Sequence, residues 1–267
     1  MSPMNFTGRW VLLTGASSGL GREMALQLAR DHRANLVLVA RREDRLRQVE
    51  SQVTALGVKA RVIVADLAKE GEPERVFAEA TAGEPLYGVV LNAGVTHFGP
   101  WDELGWDGFR RMLDLNVTSV VRLTTLALPY LEQRGEQGGV LIVASMAGLT
   151  PVAYQTAYSA TKAFLVHFGT GLWHEMRPRE VSITTFAPGG IDTEMVSGKR
   201  FNSLRAWLMP VEQCAREGLE GFVAREELRV PGFLNRVGSV VSRVLPRRLV
   251  VGQVAAQYRR SLEQNRD

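Results

Sequence analysis

The stretch Thr14-Gly15-Ala16-Ser17-Ser18-Gly19-Leu20-Gly21 connects a short apolar run to a segment with the apolar spacing of a helix. A glycine-rich turn at such a junction lets backbone amides approach a pyrophosphate, because no Cβ stands in the way, and the helix dipole favours negative charge. The spacing is G-x-x-x-G-x-G and differs from the usual G-x-G-x-x-G, so an ordinary glycine turn remains open for this loop alone. The stretch favours a dinucleotide site between the first strand and the first helix.

Outward from this loop, short runs rich in Val, Leu and Ile alternate with longer amphipathic segments, which is typical of βαβ units and a parallel sheet. The predicted strands are Arg9–Thr14, Asn35–Ala40, Ala60–Ala65, Gly88–Leu91, Val140–Ala144, Ser182–Phe186 and Leu228–Val230. The predicted helices are Leu20–His32, Glu43–Leu56, Pro73–Ala82, Trp106–Gln133, Ala157–Met176 and Val211–Ala224. Because parallel strands are joined by right-handed crossovers, we expect one α/β domain over residues 1–232, a doubly wound Rossmann-type sheet of about seven strands with helices on both faces.

Composition narrows the possible functions. The chain has 267 residues, of which 45% are hydrophobic and 22% charged, as in a globular protein. The single cysteine, Cys214, excludes an internal disulfide framework, and the four histidines show no metal-ligand spacing, so no metal site is predicted. Only eight residues precede the first apolar run, too few for a signal peptide, and we expect a cytoplasmic protein.

Charge is distributed unevenly along the chain. Residues 225–267 contain nine Arg against four Asp or Glu, whereas residues 1–224 sum to −1. The arginines are spread out and lack interleaved aromatic residues, which argues against nucleic-acid binding. The uncharged stretch Gln137–Thr161 is interrupted by glycines, Pro151 and polar residues, and we predict no membrane span there.

The cofactor preference is predicted from the end of the second strand. An Asp or Glu at this position would hold a ribose 2′-hydroxyl, whereas an Arg would hold a 2′-phosphate. The sequence has Arg41 and Arg42 there, which favours NADP over NAD because a guanidinium pairs with phosphate in bidentate fashion. Glu43 and Asp44 follow directly, and simple ion pairing with these arginines is the alternative.

Four polar residues are candidates for a catalytic site. Tyr158 and Lys162 lie four residues apart near the start of a predicted helix, so they share one face. Ser145 follows an apolar strand, at the carboxyl edge where open α/β sheets bind ligands. Asn116 falls on the apolar stripe of the predicted long helix, where a poor helix former needs a local partner or a function.

Together these motifs resemble the short-chain dehydrogenase/reductase superfamily over roughly residues 7–232. The glycine loop resembles TGxxxGxG, Leu91-Asn92-Ala93-Gly94 resembles NNAG with Leu for the first Asn, and Tyr158 to Lys162 resembles YxxxK. The resemblance implies a catalytic set of Asn116, Ser145, Tyr158 and Lys162. It implies cofactor contacts from Gly15, Ser17, Ser18, Gly19, Leu20, Gly21, Arg41, Arg42, Asp66, Leu67, Asn92, Ala93, Gly94, Tyr158, Lys162, Pro188, Gly189, Ile191 and Thr193.

The implied reaction is hydride transfer between NADPH and an apolar ketone or aldehyde, with Tyr158 as general acid and base. Lys162 is expected to lower the pKa of Tyr158 and to bind the nicotinamide ribose, while Ser145 orients the substrate oxygen. Asn116 is expected to hold the backbone carbonyl or water that connects Lys162 to solvent. A noncatalytic NADP-binding sensor or scaffold is the main alternative, and a lyase or epimerase is disfavoured by the compact length.

The resemblance also implies a homodimer or homotetramer, paired through the helices that carry Asn116 and Tyr158. We expect Met195–Met209 to form a substrate lid, although ordinary packing is equally open. Residues 233–267 form a C-terminal extension, in which Phe233–Leu245 and a second stripe from Val251 to Leu262 predict two amphipathic helices. We expect these helices to dock on their own core or on a partner subunit and to wall the substrate pocket; reversible adsorption to anionic membrane is the alternative.

Overall fold

The architecture comes from a computed structural model, in which the structure describes residues 1–194 and 208–264, without the side chain of Arg243. Within these residues the strands form one seven-stranded parallel sheet in the order β3-β2-β1-β4-β5-β6-β7. The strands are β1 (Trp10–Thr14), β2 (Asn35–Ala40), β3 (Ala60–Val64), β4 (Leu86–Leu91), β5 (Gly139–Val143), β6 (Ser182–Phe186) and β7 (Leu228–Arg229). All seven predicted strands are present, with ends shifted by two residues at most.

The strand order reverses beside β1, which pairs with β2 on one side and β4 on the other. The crossovers that follow β1 and β4 therefore lie on opposite faces of the sheet, and a crevice opens between the carboxyl ends of these two strands. In folds of this kind the crevice is where ligands bind. The topology places the glycine loop, which follows β1, at its edge.

Helices cover both faces of the sheet. They are α1 (Gly19–Arg30), α2 (Glu43–Thr54), α3 (Glu72–Thr81), α4 (Gly105–Leu113), α5 (Ser119–Arg134), α6 (Thr156–Met176), α7 (Val211–Val223), α8 (Phe233–Val244) and α9 (Arg247–Gln264). The side chains of α1, α2 and α7 fill one core, and those of α3, α5 and α6 fill the other. Successive strand residues contribute to alternate cores, as Val11 and Leu12 do in β1, because side chains alternate across a sheet.

The predicted helix Trp106–Gln133 is two α-helices, α4 and α5, joined by a π-helical turn at Asp114–Thr118. Asn116 lies in this turn and is fully buried. A π turn inserts one extra residue, so it changes the direction of the side chains that follow it. The apolar period does not reveal this insertion, because the stripes before and after the turn both face the core.

The C-terminal extension forms the two predicted helices, and α8 walls the cavity as expected. It does so without burying its apolar stripe on its own core, and docking of that stripe on a partner subunit stays a prediction. Its polar residues Asn235, Ser239 and Ser242 face the cavity at the sheet edge, whereas its apolar stripe is exposed. Ser242 is held to the core by a hydrogen bond between its Oγ and Thr150 Oγ1 (3.3 Å). In α9, Leu262 and Tyr258 face inward and pack with Phe98, whereas Leu249 is exposed.

None of the helices in the described part of the chain is long and apolar enough to cross a membrane.

Candidate active site

The glycine loop after β1 is folded so tightly that side chains are excluded from it. Gly15 has φ +71°, and a Cβ there would lie 2.7 Å from Asn92 Nδ2. A Cβ on Gly21 would overlap the Gly15 carbonyl oxygen and lie 2.5 Å from the same Asn92 atom. Gly19 also has a positive φ, +50°, and packs against Thr193. These glycines let the loop pack closely against Asn92 and its own backbone, and the loop lines the cavity at the N-terminus of α1, where a pyrophosphate cradle is expected.

Asn92 and Thr14 fasten the end of β4 to this loop. Asn92 Nδ2 donates to the Thr14 carbonyl oxygen (3.1 Å) and to the Gly15 carbonyl oxygen (3.4 Å). Thr14 Oγ1 accepts from the backbone N–H groups of Asn92 (3.0 Å) and Ala93 (3.1 Å). The motif Asn92-Ala93-Gly94 therefore holds the shape of the loop in addition to lining the cavity.

A cationic site lies beside the loop. Arg42 donates to Ser18 Oγ (2.7 Å) and to Ser17 Oγ (3.2 Å), so its guanidinium is held next to the cradle. Glu194, across the cavity, pairs with Arg45 (2.6 Å) and with Arg42 (3.5 Å). The hydrogen bond from Arg45 holds the pKa of Glu194 below its usual value. Sequence reasoning missed both Arg45 and Glu194, although the spacing of Arg42 and Arg45 on one helical turn was a usable signal.

Asp66 lies at another part of the cavity wall, in an ion pair that was also not predicted. Arg111 on α4 donates to the Asp66 carboxylate at 3.0 Å. Burial acts to raise the pKa of Asp66, but the hydrogen bonds from Arg111 and from the Ala68 backbone outweigh it and hold the pKa below its usual value. Asp66 is therefore an oriented carboxylate at neutral pH.

Ser145 and Tyr158 meet at the end of β5. Ser145 caps a short 3₁₀ turn by accepting from the Ala147 backbone N–H (3.1 Å), and its Oγ donates to the Pro188 carbonyl oxygen (3.3 Å). Burial raises the pKa of the Tyr158 phenol, and a hydrogen bond with Ser145 acts in the opposite direction. The phenol is therefore protonated throughout the neutral range, as the acid of a reduction must be.

Lys162 lies one helical turn beyond Tyr158. Its Nζ donates to the Val143 carbonyl oxygen (2.8 Å) and lies 5.8 Å from the centroid of the Tyr158 ring. Burial lowers the pKa of Lys162 to about 8. Burial raises the pKa of the Tyr158 phenol in this arrangement, and its lowering by Lys162 in the reacting complex stays a prediction.

Asn116 positions the wall behind the lysine. Its side chain exchanges two hydrogen bonds with the backbone of Val95, both of 2.9 Å, and its Nδ2 donates to Thr161 Oγ1 (3.1 Å). A Cβ on Gly94 would lie 3.3 Å from Asn116 Oδ1 and 3.6 Å from Lys162 Nζ, so these groups converge. Asn116 thus holds the backbone of Val95, and the expected connection from Lys162 to solvent stays a prediction.

One cavity of about 720 Å³ collects these groups. Every predicted site residue lines it except Asn116, which lies behind the wall. Most of the proposed lid, Met195–Met209, lies outside the described residues; Met209 forms a parallel bridge with Ile191. The far end of the cavity is lined by residues that were not predicted individually, Leu149, Thr150, Val152, Gln155, Asn235, Ser239, Ser242, Val250, Val254 and Tyr258.

The cavity fits a nicotinamide dinucleotide. The glycines allow a tight turn that side chains at Gly15 and Gly21 would force open, Arg42 lies beside this turn, and the amine of Lys162 lies near the phenol at the other end. A dinucleotide in this cavity would extend from Arg42 and Asp66, past the glycine loop, to Ser145 and Tyr158. Within the described residues no cluster of metal-ligating side chains is present.

Comparisons with known proteins agree with this geometry. A family model described as short chain dehydrogenase matches residues 9–203. The hydroxysteroid 11-beta-dehydrogenase 1-like protein of Gallus gallus is 38% identical over 243 residues, which cover 88% of this chain and 83% of that protein.

Two solved structures extend the comparison to three dimensions. A short-chain dehydrogenase from Sphingobium yanoikuyae in complex with NADPH superposes with a TM-score of 0.77 at 28% identity, covering 88% of this chain and 93% of that one. The bulky-bulky ketone specific alcohol dehydrogenase from Comamonas testosteroni superposes with a TM-score of 0.76 at 26% identity, covering 90% of this chain and 94% of that one. The chain therefore belongs to the short-chain dehydrogenase family, as a nicotinamide-dependent oxidoreductase acting on CH–OH groups.

Proposed function

We propose that this protein is an NADP-dependent carbonyl reductase, or an alcohol dehydrogenase in the reverse direction, acting on apolar ketones or aldehydes. The observation that carries the proposal is the meeting of Ser145, Tyr158 and Lys162 in one cavity with an intact glycine cradle. A sensor that only binds nucleotide has no need of a protonated phenol beside a hydroxyl and a buried amine. The catalytic and cofactor-binding sets named from the sequence are part of this proposal.

The proton chemistry follows from the residues. When bound, the reduced nicotinamide supplies the hydride. Ser145, anchored through Pro188 and Ala147, holds the substrate oxygen, and the Tyr158 phenol donates the proton as negative charge develops there. Lys162, charged below a pH of about 8, holds the ribose and favours the tyrosinate that remains. Asn116 supports this group by holding Val95 and Thr161 in place.

The preference for NADP is supported by charge. Arg41 lines the cavity, and Arg42 is oriented by Ser17 and Ser18 at the side of the cradle. Arg45 is a third cation in this region, and it pairs with Glu194, which also pairs with Arg42. A 2′-phosphate carries more negative charge than a carboxylate, so it can replace Glu194 as the partner of these arginines.

The substrate class is supported by the other end of the cavity. Leu149, Val152, Val254 and Tyr258 provide apolar surface near Tyr158, while Gln155 and Ser239 provide polar groups. The names of the relatives, a hydroxysteroid dehydrogenase-like protein and a bulky-bulky ketone specific alcohol dehydrogenase, make steroids and other bulky ketones the first compounds to test.

The assembly and location are also proposals. We propose a homodimer or homotetramer paired through α5 and α6, in a cytoplasmic protein with a catalytic domain of residues 1–232 and an extension of residues 233–267. One exposed aromatic side chain, Phe164, lies on α6 and is available for such pairing.

The test is NADPH oxidation with aromatic, long-chain and steroidal ketones, together with Tyr158→Phe. We expect turnover by the wild type and a loss of kcat of at least about a thousandfold in the variant, since general acid catalysis contributes about a hundred- to ten-thousandfold. The NADPH dissociation constant should stay within a few fold. Tight NADPH binding with no turnover of any ketone or alcohol would favour the sensor, and near-wild-type activity of Tyr158→Phe would refute the assignment of the acid.

A further inference from the structure

Helix α8 presents its apolar side to solvent in the described structure. Phe233, Leu234 and Val244 are 71%, 79% and 81% exposed, and Val237, Val240 and Val241 are exposed along the same helix. At about 100° per residue, these six side chains cover about a third of the helix circumference. A continuous apolar patch of this kind on a protein surface marks an interaction site.

The orientation of α8 is set by hydrogen bonds on its opposite side. Asn235 Nδ2 donates to the Pro231 carbonyl oxygen (2.9 Å), and Ser242 Oγ bonds to Thr150 Oγ1 (3.3 Å) and donates to the Ser239 carbonyl oxygen (2.9 Å). Rotating the helix to bury its apolar stripe would remove the contact with Thr150 and take the polar side chains away from the cavity. The outward position of the stripe is therefore built into the fold.

The charge around the stripe identifies its partner. Residues 233–262 contain six arginines and no carboxylate. Arg236 lies on α8 and is within 4.0 Å of Glu217, whereas Arg247 and Arg248 are exposed at the start of α9, next to the exposed Leu249. Within residues 233–262 the charges beside the apolar face are all arginines, of which Arg236 faces Glu217 on α7, and a face of this kind adsorbs to an anionic lipid surface.

A second copy of the chain fits this surface poorly. In a two-fold symmetric interface the same patch meets itself, so the arginines of both copies would be brought together without carboxylates from this segment to pair with them. A bilayer with anionic headgroups supplies an apolar interior for the stripe and negative charge for the arginines. We propose that α8 and the start of α9 adsorb reversibly to anionic membrane, with the apolar stripe of α8 in the interface and its polar side toward the cavity.

Adsorption through α8 would bring the cavity close to the membrane surface. Asn235, Ser239 and Ser242 line the same cavity as Tyr158, so the helix stands between the cavity and the membrane surface. An apolar substrate dissolved in the bilayer would reach the cavity without crossing bulk water. The adsorption itself depends only on the surface of α8 and α9 and does not require the proposed reaction.

The experiment is vesicle flotation of the full chain with phosphatidylcholine alone and with phosphatidylglycerol included. We expect binding to the anionic vesicles that weakens with added salt, because the arginine contribution is screened. Phe233→Ser with Leu234→Ser should weaken it at least about tenfold, since two large apolar contacts are removed. Arg247→Gln with Arg248→Gln should weaken it about fivefold or more, on anionic vesicles only.

The matched control is Val64→Ser with Arg47→Gln, which removes one exposed apolar side chain from β3, at the sheet edge opposite β7, and one exposed cation from α2. This control should float like the wild type. An unchanged NADPH dissociation constant in every variant shows that each is folded.

Failure of the wild type to bind anionic vesicles, or equal binding by the Phe233 and Leu234 double variant, would overturn the proposal. If that variant instead changed only the oligomeric state in solution, a second copy would be the occupant of the stripe. Turnover is not used in any of these readouts, so the proposed reaction can fail while the adsorption stands.

Discussion

The two ends of the cavity differ in the atoms that form their walls. At the cofactor end, the shape comes from backbone and small residues at the edge of the sheet, with Gly15, Gly21 and Asn92 in direct contact. At the substrate end, the wall comes from side chains of the segment between β5 and α6 and from those of α8 and α9, which belong to the extension. The first end tolerates almost no change in volume, whereas the second can be repacked, and the following predictions test this difference.

The largest effect on NADPH affinity is expected in the glycine loop, where a side chain would collide with backbone atoms. Gly21→Ala places a methyl group against the Gly15 carbonyl oxygen and Asn92 Nδ2, so the loop must open and the cradle is lost. We expect NADPH affinity to fall about a hundredfold, as for the loss of two charge-assisted hydrogen bonds. Fluorescence titration with NADPH measures this change.

Gly171→Ala is the matched control, because Gly171 lies in α6 and a Cβ there meets no atom within 4 Å. Its NADPH constant should be unchanged. Equal affinities for Gly21→Ala and the wild type would show that the tight loop does not form the cofactor site.

The next effect concerns charge at the cofactor end. Arg42→Ala with Arg45→Ala removes the two guanidinium groups that pair with Glu194, and we expect a loss of about ten- to a hundredfold in affinity for NADPH. NADH affinity should change by less than a few fold, because NADH has no 2′-phosphate. A parallel loss for both nucleotides would mean that these arginines only support the fold.

The same affinity measurements on Arg41→Ala show how much Arg41 contributes to NADPH binding compared with Arg42 and Arg45. Arg41, whose charge acts on the nearby Asp66 carboxylate, should contribute less than Arg42, which Ser17 and Ser18 hold beside the glycine loop. A loss from Arg41→Ala larger than that from Arg42→Ala would reverse this assignment.

A smaller effect is expected from pH. Burial lowers the pKa of Lys162 to about 8, so the free enzyme loses this positive charge as the pH rises through about 8. NADPH affinity should therefore weaken between neutral and mildly alkaline pH, by up to about tenfold per pH unit once the amine is mostly neutral. In Lys162→Met the amine is absent, and the affinity should be lower but flat over the same range; a slope equal to that of the wild type would exclude Lys162 as its source.

The smallest effect is expected at the substrate end. Tyr258 on α9 lines the cavity and packs edge-on against Phe98 with ring centroids 5.0 Å apart. Tyr258→Ala should raise KM for bulky ketones several fold through loss of apolar contact, with kcat and the NADPH constant nearly unchanged. Arg260→Ala, an exposed position two residues further on, is the control and should leave all three values alone; a large fall in kcat for Tyr258→Ala would mean that this phenol takes part in the chemistry.

The C-terminal extension shows where the amphipathic pattern is insufficient. The alternation of valine stripes with polar residues predicted α8 and α9 as helices, and both are present. The pattern also predicted that the apolar faces pack on the chain's own core or on a partner subunit; Leu262 in α9 packs on its own chain, whereas the stripe of α8 does not, and its docking on a partner subunit stays a prediction. The direction of α8 depends on the hydrogen bond between Thr150 and Ser242, two residues that are distant in the chain.

Local sequence was sufficient for the features that depend on neighbouring residues. The glycine loop, the strands and the shared face of Tyr158 and Lys162 all follow from spacing and periodicity, because backbone sterics and helix geometry act over a few residues. The catalytic and cofactor roles given to these residues remain predictions, and the cavity geometry supports them.

Features that join distant segments required the folded structure. The pairing of Arg45 with Glu194, the contact of Asn116 with Val95 and the outward stripe of α8 link groups far apart in the chain. No periodicity encodes them, because they depend on how separate elements pack, and packing decides which of several compatible partners each polar group meets. The burial that raises the pKa of Tyr158 and lowers that of Lys162 belongs to the same class, since desolvation is a property of the surrounding fold and not of the motif.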